Sequence, residues 1–225
     1  MERVVEPELM DEDTQARAYS EANFAEPHDR YVELLAAALA DHGLPAADVA
    51  GPILDLGCGP ADITVRTARR FPMATLHGVD GSAAMLTYGK ARIERERLTD
   101  RIVLKQALLP RDQPPLPTYP IVMSNSLLHH LHDAGVMWSI IKRYAQKGAR
   151  VFVMDLMRPA DVATVDKLVA DNSAGEPEIL VKDFHASLCA AFTADEVREQ
   201  LQAAGLLGLR VDVVSDRHLT VHGVV

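Results

Sequence analysis

Short, largely apolar runs recur along the first two thirds of the chain, separated by longer stretches in which apolar residues have helical spacing. The runs occupy residues 53–56, 74–79, 102–104, 121–123 and 151–154. Such runs are typical of parallel strands that are buried on both faces of a sheet. Because strand and helix alternate through five repetitions, the pattern predicts an α/β fold with a doubly wound, Rossmann-like sheet.

This alternation ends after the fifth run. Helical segments then follow one another without an intervening strand, and the last of them starts at a capping box formed by Thr193 and Glu196. Two apolar runs near the C-terminus predict a hairpin, which brings the sheet to seven strands. The helical segments are 161–171, 176–191 and 193–205, and the two runs are 209–214 and 218–224.

Residues 1–50 lack a strand pattern and are expected to form a helical cap that precedes the sheet. Helices are predicted at 13–22 and 29–40. Further along, Asp133 is expected to cap the helix after the fourth strand, and Gly148 is expected to end it.

A glycine turn joins the first strand to the helix that follows it. Gly57 and Gly59 permit a sharp turn and let a ligand approach bare backbone, while the helix directs its free N–H groups to the same place. The carboxylates of Asp55 and Asp62 beside this turn would repel a pyrophosphate, but they suit a ligand with ammonium and sulfonium groups. The turn therefore predicts a cofactor site.

Several motifs together resemble the class I S-adenosylmethionine-dependent methyltransferases, in the small-molecule branch that includes the quinone-biosynthesis C-methyltransferases. The motifs are Asp55-x-Gly57-x-Gly59, Gly78-Val79-Asp80, Ser82-x-x-Met85-Leu86 and the run 124–131. Ala61 stands where the family usually has a third glycine, so a slightly different turn is expected. The resemblance implies S-adenosylmethionine as cofactor and a mostly parallel sheet whose last strand is antiparallel. It also implies one methyltransferase domain, divided into an N-terminal helical cap (1–50), a cofactor-binding core (51–159), a helical substrate-side region (160–207) and a C-terminal hairpin (208–225).

The resemblance assigns cofactor contacts residue by residue. Asp80 would accept the ribose hydroxyls, and Asp55 would fix the methionine end of the cofactor or only hold the turn. Gln106 stands where relatives have an acid, and its amide oxygen would accept the adenine amino group. The remaining expected contacts are Gly57, Gly59, Gly81, Met85, Ala107, Ser124 and Asn125.

Histidines follow the fourth strand, where the methyl group must emerge. His129 and His130 are candidate catalytic residues, as a general base or an acceptor contact, and the alternative is that they only support the strand–helix turn. His129 and His132 are a helical turn apart, but no nearby acid or thiol completes a metal set. We therefore expect no metal.

Candidate substrate residues lie outside the cofactor motifs. Tyr19 and Phe24 are expected to line the roof of the pocket, with ordinary packing as the alternative. Arg158 would hold a substrate carboxylate or phosphate, or merely pair with Asp155. His185 is expected on the substrate side as a further catalytic candidate, with its neighbour Phe184 in the core.

The amino-acid composition limits the classes of molecule that the protein is expected to bind. A formal net charge of −9 over 225 residues argues against a broad nucleic-acid surface or an anionic membrane, and favours a small-molecule acceptor. Two cysteines make no disulfide framework, and no apolar run is long enough to cross a bilayer, so we expect a cytoplasmic protein. We leave open whether the chain forms a homodimer.

The leading functional hypothesis is in-line transfer of the sulfonium methyl group to a small metabolite. One alternative is an enzyme that modifies S-adenosylmethionine itself for tRNA modification. The other is a cofactor-sensing protein without turnover.

Overall fold

The computed structural model describes residues 1–7 and 9–225, and one seven-stranded sheet forms its centre. The strands are β1 Gly51–Leu56, β2 Ala74–Asp80, β3 Ile102–Gln106, β4 Tyr119–Asn125, β5 Ala145–Leu156, β6 Leu209–Val213 and β7 His218–Val224. Their order is β3-β2-β1-β4-β5-β7-β6. The pairings from β3 to β5 are parallel, whereas β7 runs antiparallel to both β5 and β6. The predicted doubly wound, mostly parallel sheet with an antiparallel C-terminal strand is therefore confirmed.

Helices cover both faces of this sheet. They are α1 Asp13–Glu21, α2 Ala25–Asp41, α3 Asp62–Arg70, α4 Ala83–Arg95, α5 Gly135–Tyr144, α6 Val162–Asn172, α7 Glu178–Ala190 and α8 Ala194–Ala204, with short 3-10 turns at Ala46–Asp48 and Leu128–His130. Side chains alternate along each strand, so Leu54 packs in the core beneath α5 and α8 while Ile53 packs in the core beneath α2 and α3. No helix of the described ranges is both long and apolar enough to span a membrane.

Several element boundaries differ from the sequence-based expectation, among them the start of β5, which lies at Ala145 and not at residue 151. Helix α2 begins at Ala25, four residues before the predicted start. Gly148 does not end α5, which stops at Tyr144 because the chain continues directly into β5, where Ala145 pairs with Tyr119 of β4. Asp133 is not the N-cap of α5, which is Ala134, although its carboxylate accepts the Gly135 amide at 2.8 Å.

The middle of the sheet is where a ligand-binding site is expected. Strand order reverses between β1 and β4, and in such sheets ligands bind beyond the carboxyl ends of the strands at that point. The backbone amides of Gly57 and Cys58 both donate to the Val79 carbonyl, at 2.9 and 3.1 Å. This ties the glycine turn after β1 to the end of β2.

An N-terminal segment, residues 1–7, crosses the same edge of the sheet. The Arg3 guanidinium donates to the carbonyls of His129 at 2.9 Å, Leu131 at 2.8 Å and Ala190 at 2.5 Å. It also stacks on the Phe192 ring, 3.9 Å from its centroid. One side chain therefore links the N-terminal segment to the turn after β4 and to the end of α7.

Candidate functional site

A cavity of about 660 Å³ opens at the carboxyl ends of β1, β2, β3 and β4. This volume lies in the usual range of ligand sites, ~300–1,000 Å³. Most of the expected cofactor residues line it: Asp55, Gly57, Gly59, Asp80, Gly81, Met85, Ala107 and Asn125. The structure thus brings together residues from four strand ends that are far apart in the chain.

The cofactor turn, which we define as residues 55–62, has an unusual backbone. Gly57 and Gly59 have φ of 68° and 51°, and Ala61 also lies in the left-handed region at 60°. The third position of the family's turn thus keeps a positive φ although it carries a methyl group. Gly59 lines the cavity, and a Cβ added to it would meet no atom of the described residues within 4 Å. A ligand can therefore approach the backbone there.

Asp80 at the end of β2 organises the turn from the other side. One carboxylate oxygen accepts the Gly59 amide and the other accepts the Ser82 amide, both at 2.8 Å. Burial raises the pKa of Asp80, and the two amide bonds oppose that shift. Each oxygen can accept a further hydrogen bond. The carboxylate is thus held in place and remains able to accept a hydroxyl from a ligand.

Asp55 is buried at the end of β1, with 2% of its surface exposed. The Thr64 hydroxyl donates to it at 2.6 Å. Burial raises the pKa of Asp55 to about 7, although the Thr64 bond opposes the shift. A ligand ammonium group would favour the charged carboxylate, so the structure is consistent with either role expected for this residue.

The negative charge of Asp62, by contrast, is already balanced by neighbouring side chains. Its carboxylate contacts His28 Nδ1 at 2.6 Å, Arg66 Nε at 2.7 Å and Arg92 Nη1 at 2.5 Å. Burial would raise the pKa of Asp62, but these partners outweigh it and the net shift is downward. Its charge serves the packing of α2, α3 and α4, so the electrostatic argument for the cofactor depends on Asp55 and Asp80.

Two expected cofactor residues lie beside the cavity rather than in its lining. Gln106 is exposed, and its amide nitrogen donates to the Gly81 carbonyl at 3.1 Å. Ser124 is buried, and its hydroxyl donates to the Leu56 carbonyl at 2.8 Å. Leu9 and Leu108, which sequence reasoning missed, line the cavity near Gly81 instead.

An aromatic roof covers part of the cavity, as expected for Tyr19 and Phe24. Their ring centroids are 4.9 Å apart, and Phe24 also packs against His28 at 5.3 Å. Burial raises the pKa of Tyr19 to about 12, so its hydroxyl stays neutral. These rings can exclude water from one side of a bound ligand.

The histidine wall, which we define as Glu6, His129, His130, Asp155 and Ser187, lies at another side of the cavity, and His129, His130 and Ser187 are its members that line the cavity. His129 Nδ1 lies 2.5 Å from Asp155 Oδ1, and the other Asp155 oxygen accepts the Leu128 amide at 2.7 Å. Burial lowers the pKa of His129 and the Asp155 carboxylate raises it, with a net upward shift. His129 therefore supports the turn after β4 and also lines the cavity.

His130 has a different environment. Its ring lies 4.3 Å from the His129 ring, centroid to centroid. Burial and the neighbouring His129 charge lower the pKa of His130 to about 3, so the imidazole is neutral near pH 7 and a weak base. His130 lines the cavity, and its role as a general base or acceptor contact stays a prediction.

Sequence reasoning missed Glu6. Its Oε1 lies 3.6 Å from His129 Nε2 and 3.4 Å from His130 Nδ1, and the Ser187 hydroxyl donates to it at 3.1 Å. No local signal could have found it, because these partners lie more than a hundred residues away in the chain.

Arg158 and His185 do not lie in the cavity lining. The Arg158 guanidinium donates to Glu196 at 2.6 Å and to the Ala191 carbonyl at 2.9 Å, so its partner is Glu196 and not Asp155. His185 points outward near Asp166, at 3.4 Å, whereas Phe184 lines the cavity. The structure therefore places Arg158 and His185 outside the cavity lining, and their roles in substrate binding and catalysis stay predictions.

Comparison with known proteins identifies a domain type. Residues 53–148 match the sequence profile of the family described as "Methyltransferase domain". The trans-aconitate 2-methyltransferase of Mycolicibacterium gilvum is 36% identical over 77 residues, which are 34% of this chain and 27% of the relative. The enzyme of that name from Variovorax paradoxus is 34% identical over 84 residues, which are 37% and 30% of the two chains. The chain thus spans less than a third of the length of these curated relatives.

Solved structures share the fold over nearly the whole chain. A SAM dependent methyltransferase from Aquifex aeolicus has a TM-score of 0.66 at 16% identity, covering 95% of this chain and 98% of that one. The plantazolicin methyltransferase BpumL, in complex with a monoazolic desmethylPZN analog and SAH, has a TM-score of 0.70 at 12% identity, covering 94% of this chain and 89% of that one. These likenesses confirm the fold that the motifs implied. They do not confirm the quinone-biosynthesis branch.

Proposed function

We propose, on the premise that residues 53–148 form a methyltransferase domain with the class I, S-adenosylmethionine-dependent fold, that this chain transfers a methyl group to a small-molecule acceptor. The observation that carries the proposal is the position of the Asp80 carboxylate, which two backbone amides hold in place. It accepts the Gly59 and Ser82 amides within the same cavity that Asp55 and Asn125 line. This arrangement supplies a fixed hydroxyl acceptor and a bare backbone turn side by side.

The cavity suits S-adenosylmethionine in charge and in shape. Asp55 provides a carboxylate for the ammonium group, and Asp80 provides acceptors for the ribose hydroxyls. The open side of Gly59 leaves room for close approach. When bound, the cofactor supplies an already activated sulfonium methyl group. The protein then has to align the acceptor and exclude water, which is the task of the aromatic roof.

The acceptor region combines apolar and acidic groups. Phe24, Leu180 and Phe184 contribute apolar surface, and Asp183, which accepts a hydrogen bond from Gln15 at 2.8 Å, contributes charge. Among the described residues that line the cavity, Arg217 is the one permanently charged cation. A tricarboxylate such as the trans-aconitate in the relatives' names would meet repulsion here. We therefore infer a neutral or cationic acceptor with an apolar body.

A flat ring would suit the apolar part of this lining, so the quinone-biosynthesis C-methyltransferase branch remains within the proposal as its finer form. The lining equally accommodates an oxygen, nitrogen or sulfur nucleophile. The two other hypotheses from the sequence, a cofactor-modifying enzyme and a cofactor sensor, share the cofactor turn and differ in what happens after binding.

Calorimetry with S-adenosylmethionine and S-adenosylhomocysteine tests the first half of the proposal. Mass detection of methyl transfer, in parallel pools of aromatic, cationic and polycarboxylate compounds, tests the second. We expect binding of both cofactor forms and products in the aromatic or cationic pools. The proposal would be overturned if neither cofactor form binds. The inferred acceptor class would be wrong if products form only in the polycarboxylate pool. An altered cofactor without any methylated product would favour the cofactor-modifying enzyme.

A further inference from the structure

Three donor atoms of the histidine wall converge on one point. Glu6 Oε1, His129 Nε2 and His130 Nδ1 belong to a group in which all ligand atoms lie within 4.8 Å of one another. The carboxylate oxygen is 3.6 Å from the His129 nitrogen and 3.4 Å from the His130 nitrogen. With bonds of about 2.0–2.1 Å, ligands at neighbouring corners of a tetrahedron are roughly 3.3–3.4 Å apart. Two of the three spacings are therefore close to those of ligands around one ion, and the whole group lies within 4.8 Å.

His129 is already held in the orientation that a metal ligand needs. Its Nδ1 contacts the buried Asp155 carboxylate at 2.5 Å, which leaves Nε2 directed toward Glu6. Histidines that bind metals almost always donate their second ring N–H to a carboxylate or carbonyl, because this fixes both the tautomer and the ring. Asp155 takes that supporting position.

His130 supplies a buried nitrogen that makes no hydrogen bond to the described residues, although Glu6 Oε1 lies 3.4 Å away. Its Nδ1 is inaccessible to solvent and makes no hydrogen bond within the part of the chain that the structure describes. The ring also hydrogen-bonds to the backbone of Pro7, which places the proton of the neutral imidazole on its other nitrogen. A buried polar atom without a hydrogen bond is costly, and an ion at this point would satisfy it.

Glu6 is positioned by contacts on two sides. The Ser187 hydroxyl donates to its carboxylate at 3.1 Å, and His132 Nε2 lies 2.8 Å from its backbone carbonyl. The carboxylate is 11% exposed, so it is largely removed from solvent. Arg3, three residues before it, is bonded to carbonyls of the same turn. The acid therefore reaches the histidines as part of a fixed segment.

We propose that Glu6, His129 and His130 bind one divalent transition-metal ion, with zinc as the representative ion. Two imidazoles and one carboxylate are the donor set of catalytic zinc and of non-haem iron(II), whereas magnesium and calcium prefer oxygen donors alone. The sequence indicated no metal because the acid that completes the set lies in the N-terminal segment. Three protein ligands leave the fourth corner of a tetrahedral ion free.

The free fourth coordination position would let the bound ion contact a ligand in the cavity. Both histidines line the cavity, so a ligand in the cavity can reach an ion that they hold. In the enzyme proposed above, the ion would bind and orient an oxygen, nitrogen or sulfur atom of an uncharged acceptor, and this use rests on the proposed function. The metal site itself does not depend on it.

The test is metal titration of the full chain after treatment with a chelator. We expect one zinc ion per chain by calorimetry, and a visible absorption spectrum typical of nitrogen and oxygen ligands when cobalt replaces zinc. Glu6→Gln and His130→Asn should each lower zinc affinity by at least about tenfold. The matched controls are Glu2→Gln, at an exposed acid of the same segment, and His185→Asn, at a histidine outside the cavity, and both should bind like the unaltered chain.

Failure of the unaltered chain to bind zinc in stoichiometric amount would overturn the proposal, as would equal affinities in the site variants and the controls. Thermal melting of each variant shows that it is folded, and S-adenosylmethionine calorimetry on the same samples reports the cofactor site separately. Zinc binding without cofactor binding would support the metal site and overturn the proposed function, and the reverse result would do the opposite.

Discussion

The cofactor turn and the histidine wall lie on the same cavity but are assembled in different ways. In the turn, the contacts of Thr64 with Asp55 and of Gly59 with Asp80 join residues 9 and 21 positions apart. In the wall, Ser187 contacts Glu6 across 181 positions. The turn is built mainly from backbone groups at strand ends, whereas the wall consists of side chains delivered by separate elements. Cofactor binding is therefore expected to tolerate changes in the wall, and acceptor chemistry is expected to depend on them.

The largest effect should come from filling the open side of the turn. Gly59→Val places a branched side chain in the cavity at a φ of 51°, and we expect no measurable S-adenosylmethionine binding by calorimetry. Gly148→Val is the matched control, because that glycine has a φ of 81° and equally open space but lies in β5 away from the site. If both variants bind alike, the turn is not the cofactor site.

Removing the carboxylate of Asp80 should have the next largest effect. Asp80→Ala takes away a charged acceptor from a buried site, at a cost of about 2–3 kcal/mol, which is roughly a 30- to 150-fold weaker affinity for S-adenosylmethionine. Asp100→Ala, at an exposed position, serves as the control. Unchanged calorimetric affinity in a folded Asp80 variant would remove this residue from the site.

Low pH should weaken cofactor binding because Asp55 becomes protonated. Its pKa of about 7 means that the free protein holds the carboxyl protonated below that pH, whereas an ammonium group binds the charged form. Affinity should therefore fall as the pH drops, by about tenfold between about pH 8 and about pH 6. Asp55→Asn should bind more weakly at about pH 8 and lose this slope. A slope that persists in the variant would assign the titration to another group.

The smallest effect is expected at His185. His185→Ala should leave cofactor affinity and methyl-transfer rate within about twofold, because this ring lies outside the cavity. Phe184→Ala, one position earlier, should slow transfer to an apolar acceptor through lost contact area. Steady-state rates with one acceptor would compare the two directly, and a larger loss at His185 would reverse the orientation assigned to α7.

The sequence predicted the sheet and most of the cofactor turn because both depend on local patterns. Apolar runs specify buried strands, and a glycine pair specifies a backbone shape wherever it occurs. The pattern around Phe184 and His185 identified a helix but not which of its faces meets the cavity, since α7 packs against α6 on one side and lines the cavity on another.

Long-range side-chain partners were the least accessible part of the site. Glu196 was recognised in its capping box, where it accepts the Thr193 amide at 2.7 Å, but its second oxygen also holds Arg158. Glu6 precedes every helix and strand, so no periodicity marks it. Residues of this kind acquire their role from tertiary contacts, which a single sequence does not display.

The anchoring of Arg3 has a consequence for the order in which the protein matures on the ribosome. Its acceptor at Ala190 is made 187 residues later, which at roughly 5–20 residues per second is a delay of about 10–40 s. During that interval the strands around the cofactor turn can already emerge and pair, while the N-terminal segment has yet to meet its final partners. The strands that end near Asp55 and Asp80 are thus synthesised well before Ala190, the last of the carbonyls that hold Arg3.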